Sequence, residues 1–270
     1  MDSSLQLDTC FARLSYDGPR EPTLPVLHAL TAAHAQSIPF ENLDVLLNRR
    51  IRLESDALFK KLVHDRRGGY CFEQNGLFLE VLGRLGFAVT PLSARVRLQR
   101  PRDFIPPRTH MFIRADIDGE RWLSGVGVGA LSLTCAIRLG TEDEQATPHE
   151  PRRIVRERSL LFHQARLGDA WHDVCEFTLE EMPAIDREVG NWFTSTHPLS
   201  HFRNRLIASR AASDGRHLTL LNDEFTVRQR DGTAVTRRVS SPEDLFAILA
   251  AEFGLHFAPG TRFELAELPA

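Results

Sequence analysis

The run Arg66-Arg67-Gly68-Gly69-Tyr70-Cys71-Phe72-Glu73-Gln74-Asn75 holds the residue types of a cysteine nucleophile. Gly68 and Gly69 permit a tight turn. Beyond them Phe72, Leu77, Phe78, Val81, Leu82 and Leu85 recur at helical spacing until Gly86. Cys71 therefore stands at the mouth of a helix. Unpaired N–H groups and partial positive charge there favour thiolate over thiol, and the same N–H groups could hold an oxyanion. A core cysteine behind a Gly-Gly turn is the plain alternative. A thiolate nucleophile takes a histidine as its partner. Of the 11 histidines, His110 is the best placed, opening a strand after the Pro-rich loop 101–107.

The elements that must position these two residues are legible from periodicity. Residues 1–85 read as mostly helical, with Pro25–Ser37 and Ser55–Asp65 carrying apolar residues at helical spacing. Residues 87–190 read as a small β-barrel or curved sheet. Phe87–Thr90 is a short strand, and Leu92, Ala94, Val96 and Leu98 alternate with Ser93, Arg95 and Arg97 in the next. His110–Ile117 and Glu120–Ser124 flank Asp118-Gly119, a strong hairpin signal. Further strands are expected near Ser159–Gln164 and Trp171–Phe177. Residues 191–270 mix types: strands over Arg216–Asn222 and Phe225–Gln229, a turn at Asp231-Gly232, and a last helix from Ser241-Pro242 to Phe253, ended by Gly254.

Bulk composition excludes several classes. At 270 residues, 42% hydrophobic and 26% charged, the chain is globular rather than disordered or fibrous. A net charge of -3 gives no global field for nucleic acid or anionic lipid. No apolar stretch is long enough to span a bilayer, and the first residues lack a basic region and an apolar run. Cys10, Cys71, Cys135 and Cys175 lie far apart without a CxxC pair, which argues against a disulfide scaffold or a zinc site. The expectation is a cytoplasmic protein without metal, a monomer or weak homo-oligomer, that binds neither nucleic acid nor membrane.

Several motifs then point the same way. The run around Cys71 resembles the active-site run of the arylamine N-acetyltransferase family. Ile38-Pro39-Phe40-Glu41-Asn42-Leu43-Asp44 resembles a second motif of that family, and Thr109-His110-Met111 falls where it has its catalytic histidine. Asn191-Trp192-Phe193, Ser195-Thr196-His197-Pro198, Ser200-His201-Phe202 and Phe253-Gly254-Leu255 resemble its later motifs, in order. The resemblance implies an α+β fold, a papain-like cysteine transferase of three packed parts: helical bundle (1–86), β-barrel (87–190) and α/β lid (191–270). It implies that Cys71 takes an acetyl group from acetyl-CoA, the cosubstrate, as a thioester and passes it to an aromatic amine or hydrazine, with His110 moving the proton. It implies Phe40, Val128 and Phe202 as substrate contacts, and Thr109, Gly127 and Gly129 as residues near the cofactor. Arg66 and Arg67 could attract its phosphates, although Arg67 near Glu41 also reads as a buried ion pair.

One departure matters. The family's third catalytic residue, an aspartate, falls at Gly125 within Gly125-Val126-Gly127-Val128-Gly129. If Asp118-Gly119 is a two-residue turn, Phe112 faces Gly125, and a side chain at 125 is a diagonal neighbour of His110. Ser124 points to the other face, and Asp116 lies roughly 20 Å along the strand. The expectations are a Cys71–His110 dyad, a carboxylate from elsewhere, or activity largely lost. Raised activity on Gly125→Asp would support the lost-triad reading, and fast alkylation of Cys71 at neutral pH is expected of an active pair. The alternatives are an amide synthase or other acyltransferase with a larger acyl donor, for which Val128 leaves room, and a weakly catalytic relative that binds CoA or an aromatic ligand. A cysteine peptidase is a weaker third.

Overall fold

The structure, a computed structural model, describes residues 3–98 and 100–264. Helices α1 (Ser3–Leu14) and α2 (Leu24–Ser37) lead to a short strand β1 (Phe40–Glu41) and the single turn α3 (Leu43–Leu46). Helix α4 (Ser55–Phe59) continues as a π-helical turn over Lys60–His64, and α5 (Cys71–Arg84) follows. Phe11, Leu14, Leu27, Leu30, Leu62, Phe78 and Leu82 form the core of these helices. Arg13 ties them together from inside, its Nε donating to the Leu62 carbonyl at 3.0 Å and its Nη1 to that of Ser37 at 2.6 Å.

Strands β2 (Ala88–Val96), β3 (His110–Ile117), β4 (Glu120–Ser124), β5 (Ile137–Arg138), β6 (Arg152–Glu157), β7 (Leu160–Leu167) and β8 (Ala170–Glu181) make one antiparallel sheet, ordered β5-β4-β3-β2-β8-β7-β6. The sheet curls into a nearly closed barrel. Gln145 bridges its open edges: it pairs with Arg152 of β6 and bonds the backbone of Arg138 in β5 through both ends of its amide. The β3–β4 hairpin has the expected register, Ile117 opposite Glu120 and Ile113 opposite Ser124. Its turn residues Asp118 and Gly119 take φ 51° and 79°, the left-handed values of a type I′ turn. Side-chain alternation then splits β3. Ile113, Ala115 and Ile117 face the helices, and Phe112 faces the barrel core with Leu92, Ala94 and Leu123.

Helix α6 (Ala184–Thr196) and the turn α7 (His201–Asn204) lead into strands β9 (Ile207–Ala211), β10 (His217–Leu221), β11 (Glu224–Arg228) and β12 (Ala234–Arg238), and helix α8 (Pro242–Phe253) closes the order. The second sheet runs β1-β9-β10-β11-β12. Leu245, Ile248, Leu249 and Phe253 of α8 cover Ala208, Leu218, Leu220 and Phe225. As expected, Ser241 caps α8, its hydroxyl accepting the Asp244 N–H, and Gly254 ends it at φ 66°.

Three sequence expectations need correction. Pro91 does not separate two strands. It sits inside β2 opposite Ile113, at the edge of a register shift toward β8, and its carbonyl accepts the Met182 N–H. A bulge tolerates the missing proline donor. Residues 184–190 are helical, so α6 runs across position 190 without a break. The C-terminal sheet takes its edge strand from residues 40–41, a pairing of Phe40 with Ser209 that local pattern does not encode. Among the described residues no helix is long and apolar enough to cross a membrane.

Asn42 welds that junction. Its Nδ2 donates to the carbonyls of Phe202 and Arg205, each at 2.7 Å, and its Oδ1 accepts the Ile207 N–H at 2.9 Å. Asn42→Ala leaves these backbone groups without their partner in a closed interface, so a loss of about 3 kcal/mol is expected, read as a lower urea midpoint at unchanged slope.

Candidate active site

Cys71 is the first residue of α5, as the sequence predicts. The glycines before it serve a different purpose from a left-handed turn. Neither has positive φ; Arg66 takes that conformation instead, at 51°. A Cβ on Gly68 would lie 2.1 Å from the Pro39 carbonyl oxygen, and one on Gly69 2.7 Å from a Glu73 carboxylate oxygen. Two chains meet here. The Gly69 carbonyl accepts the Glu41 N–H at 3.1 Å, and the Gln74 Nε2 donates to the carbonyls of Pro39 and Gly69 at 3.0 and 2.8 Å. Glu73 accepts the Tyr70 N–H at 3.0 Å, supplying one of the helix's first bonds. Lys61 pairs with Glu73 at 2.6 Å and Asp44 at 2.9 Å; Arg67 pairs with Glu41 at 2.7 Å and Asp44 at 3.2 Å. Arg67 is thereby committed to a buried ion network and is not a free anchor for phosphates.

The segment Thr109–Met111 crosses the sulfur. The thiol donates to the Thr109 carbonyl at 3.3 Å. Asn75, one helical turn after Cys71, donates to the Met111 carbonyl at 2.8 Å and accepts the Val126 N–H at 2.9 Å. It thus holds helix, strand and the 125–129 loop in one register. The sequence reading gave Asn75 no role; its spacing of four from Cys71, on the same helix face, is the signal that marks it. Gly127 lies directly on the helix, where a Cβ would come 2.7 Å from the Cys71 Cα. Gly129 carries φ 82° next to Ser209 and Phe40.

Burial overrides the electrostatics expected of a helix mouth. It pushes the Cys71 thiol up from 9.0 to about 12, against the pull of the Met111 and Phe72 N–H groups. It pushes His110 down from 6.5 to about 3. Both shifts favour the uncharged forms, thiol and neutral imidazole. His110 is 1% exposed, and its Nε2 has no hydrogen-bond partner among the described residues. Among the described residues no carboxylate bonds it. Asp116 is exposed and pairs with Arg114 at 3.0 Å, and Ser124 bonds Thr31 on the opposite face at 2.9 Å. Position 125 faces Phe112 as the hairpin register requires, but a Cβ there would lie 2.5 Å from the Phe112 Cδ1. An aspartate placed at 125 alone would therefore crowd the Phe112 ring.

The other candidates separate into two groups. Phe40 and Phe202, with ring centroids 6.0 Å apart, share an apolar cluster with Tyr70, Cys71, Phe72, Met111 and Met182. Thr109 borders a cleft of about 330 Å³ with Arg108, Glu181, Asp186, Val189 and Phe193. Val128 is different: it is buried in the barrel core with Phe112, its N–H held by Ser132 at 2.9 Å, and it does not widen this cleft. His197 stacks on Phe193 at 4.4 Å. All four cysteines are free thiols, and Cys10 and Cys175 are buried.

A buried cysteine at a helix start, crossed by a histidine-bearing strand of a barrel, is the arrangement of a papain-like cysteine acyltransferase. Comparison with known proteins agrees. A family model described as N-acetyltransferase matches residues 23–261. The arylamine N-acetyltransferase / N-hydroxyarylamine O-acetyltransferase of Salmonella typhimurium is 42% identical over 251 residues, 92% of this chain and 88% of that protein. A solved structure of arylamine N-acetyltransferase from Salmonella typhimurium superposes with a TM-score of 0.89 at 40% identity, covering 98% of this chain and 96% of that one. The Mycobacterium marinum enzyme, solved in complex with CoA, gives 0.88 at 36% identity, covering 92% of each chain. The chain belongs to the arylamine N-acetyltransferase family.

Two outcomes follow from this geometry. Gly127→Ala drives a Cβ into the Cys71 backbone and should cost about 1–3 kcal/mol, seen as a lower melting temperature together with slower modification of Cys71. Alkylation of Cys71 by iodoacetamide should climb about tenfold per pH unit from pH 7 to 10. The thiol there lies below its raised pKa, and a neutral His110 supplies no charge to hold a thiolate. A plateau between pH 5 and 7 would instead reveal a standing thiolate–imidazolium pair. His110 also sets a sign for stability. Its folded pKa is depressed, so its contribution is complete above the ordinary histidine range and is lost as pH falls from 6.5 toward 3.

Proposed function

We propose that this chain moves an acetyl group from acetyl-CoA to the nitrogen of an arylamine or hydrazine through a thioester on Cys71. The observation that carries this reading is the crossing of Thr109–Met111 over the Cys71 sulfur, beside the aromatic pair Phe40 and Phe202. The sulfur attacks the acetyl carbonyl carbon while its proton passes to His110; the new S–C bond forms as the bond to CoA breaks, and CoA leaves as the thiol carrying that proton. The amine then attacks the thioester, giving up a proton to His110, which returns it to the departing Cys71 sulfur. The Phe72 and Met111 backbone N–H groups, which favour negative charge on the sulfur, serve as the donors for the oxyanion of both tetrahedral intermediates. Phe40 and Phe202 flank the acceptor ring, and Thr109, at the cleft it shares with Arg108 and Phe193, faces the acetyl donor. The parts 1–86, 87–183 and 184–270 act as helical support, histidine-bearing barrel and covering layer.

Relatives of this chain are named for arylamine N-acetylation, and one was solved with CoA bound. Intact-mass analysis after mixing with acetyl-CoA should show the gain of one acetyl group, absent in Cys71→Ala, and an aromatic amine should discharge it. No acetylation of wild-type Cys71 sinks the proposal. A weakly catalytic binding relative is the second reading, favoured by the unpartnered His110 Nε2; tight CoA binding without discharge of the acetyl group to any amine would select it.

A further inference from the structure

We propose that Phe112 is the positioning residue for His110 in this chain, standing in the room where a side chain at position 125 would otherwise reach the imidazole. The inference rests on the reading of His110 as the base of a Cys71 acyltransferase.

His110 and Phe112 sit two residues apart on one strand and so project to the same face. Their rings meet at right angles, 84° between planes and 4.5 Å between centroids. The Phe112 ring is pinned on its other sides, with His163 at 5.7 Å and Phe177 at 5.5 Å, and the residue is wholly buried. It cannot swing aside as an exposed side chain would. Opposite it the chain carries Gly125, and a Cβ there would meet the ring edge at 2.5 Å. Glycine at 125 and phenylalanine at 112 are therefore complementary occupants of one volume: the ring needs the missing Cβ, and an acid at 125 needs the ring gone.

The chemistry of the imidazole follows. Nε2 is buried without a nitrogen or oxygen partner among the described residues. In a site closed to water, a neutral imidazole loses least when that nitrogen meets an aromatic surface, either as an N–H over the ring's electron-rich face or against its edge. Nδ1 then remains for the thiol proton. A quadrupole restrains the imidazole's orientation without neutralising an imidazolium as a carboxylate does. So Phe112 fixes geometry while leaving His110 uncharged at rest, and the proton transfers only as sulfur attacks. The same ring separates His110 from His163, whose Nε2 bonds the Arg152 guanidinium at 3.2 Å. It thereby keeps that buried cation away from the base.

The test compares wild type with Phe112→Leu, Gly125→Asp and the double variant, each checked for folding by circular dichroism and thermal melting. Two readouts are taken: the single-turnover rate of Cys71 acetylation by acetyl-CoA, and the pH profile of Cys71 alkylation by iodoacetamide. Phe112→Leu keeps apolar bulk and frees the imidazole. It should slow acetylation about tenfold at unchanged KM for acetyl-CoA, in line with lost orientation. Gly125→Asp alone should lose stability or rate. The double variant should exceed both single variants in acetylation rate, with its alkylation profile displaced about one pH unit or more toward acid, because a carboxylate now favours the charged pair. The proposal is overturned if Phe112→Leu matches wild type in rate and profile, or if Gly125→Asp alone folds and gains as much as the double variant. If acetyl-CoA fails to acetylate any of the four proteins while the alkylation profiles shift as described, the assigned activity fails and the role of Phe112 stands.

Discussion

Asn75 is the constraint on which the rest of the site depends. Helix, strand and glycine loop belong to different parts of the chain, and each alone would leave polar backbone unsatisfied in a closed interface. One amide resolves this by giving a proton to the Met111 carbonyl and taking one from the Val126 N–H. With those two bonds in place, Thr109 and Met111 must cross the sulfur, and the loop must lie so close to α5 that position 127 tolerates only glycine. The positions of Cys71, His110 and Gly125 relative to one another are consequences of that single residue and of the hairpin register that precedes it.

The molecule handles buried polarity in two opposite ways. Under the Cys71 loop, Lys61 and Arg67 are matched by Glu41, Asp44 and Glu73, so that buried charge is met by opposite charge. Where the barrel meets the second sheet, Glu150 pairs with Arg152 and Arg228 and bonds the His217 ring. Removing one member of such a network costs much, because it leaves its partner's charge buried and unpaired. Between them lies the pair Cys71 and His110, which has no opposite charge within bonding reach and is kept neutral by burial.

What the sequence alone decided was local. Helical spacing after Cys71, the Asp118-Gly119 turn and the Ser241-Pro242 cap each act within a few residues, so α5, the β3–β4 hairpin and α8 were legible to within a residue or two. The same hairpin count put Phe112 opposite Gly125. Expectations failed where distant chain segments supply the energy: the joining of residues 40–41 to the C-terminal sheet, the absorption of Pro91 into a bulged strand, and the use of Gly68 for clearance from Pro39 rather than for a turn. The ionisation of the active pair belongs to this second group. A helix N-terminus pulls a thiol toward thiolate through a local field, but the loss of water around Cys71 and His110 is a property of the whole enclosure and outweighs it. Sequence therefore located the candidate cysteine and histidine and placed a glycine opposite Phe112; only the tertiary structure could show that the Phe112 ring occupies the room a side chain at 125 would need, because that depends on volume shared by residues that are neighbours in no other sense.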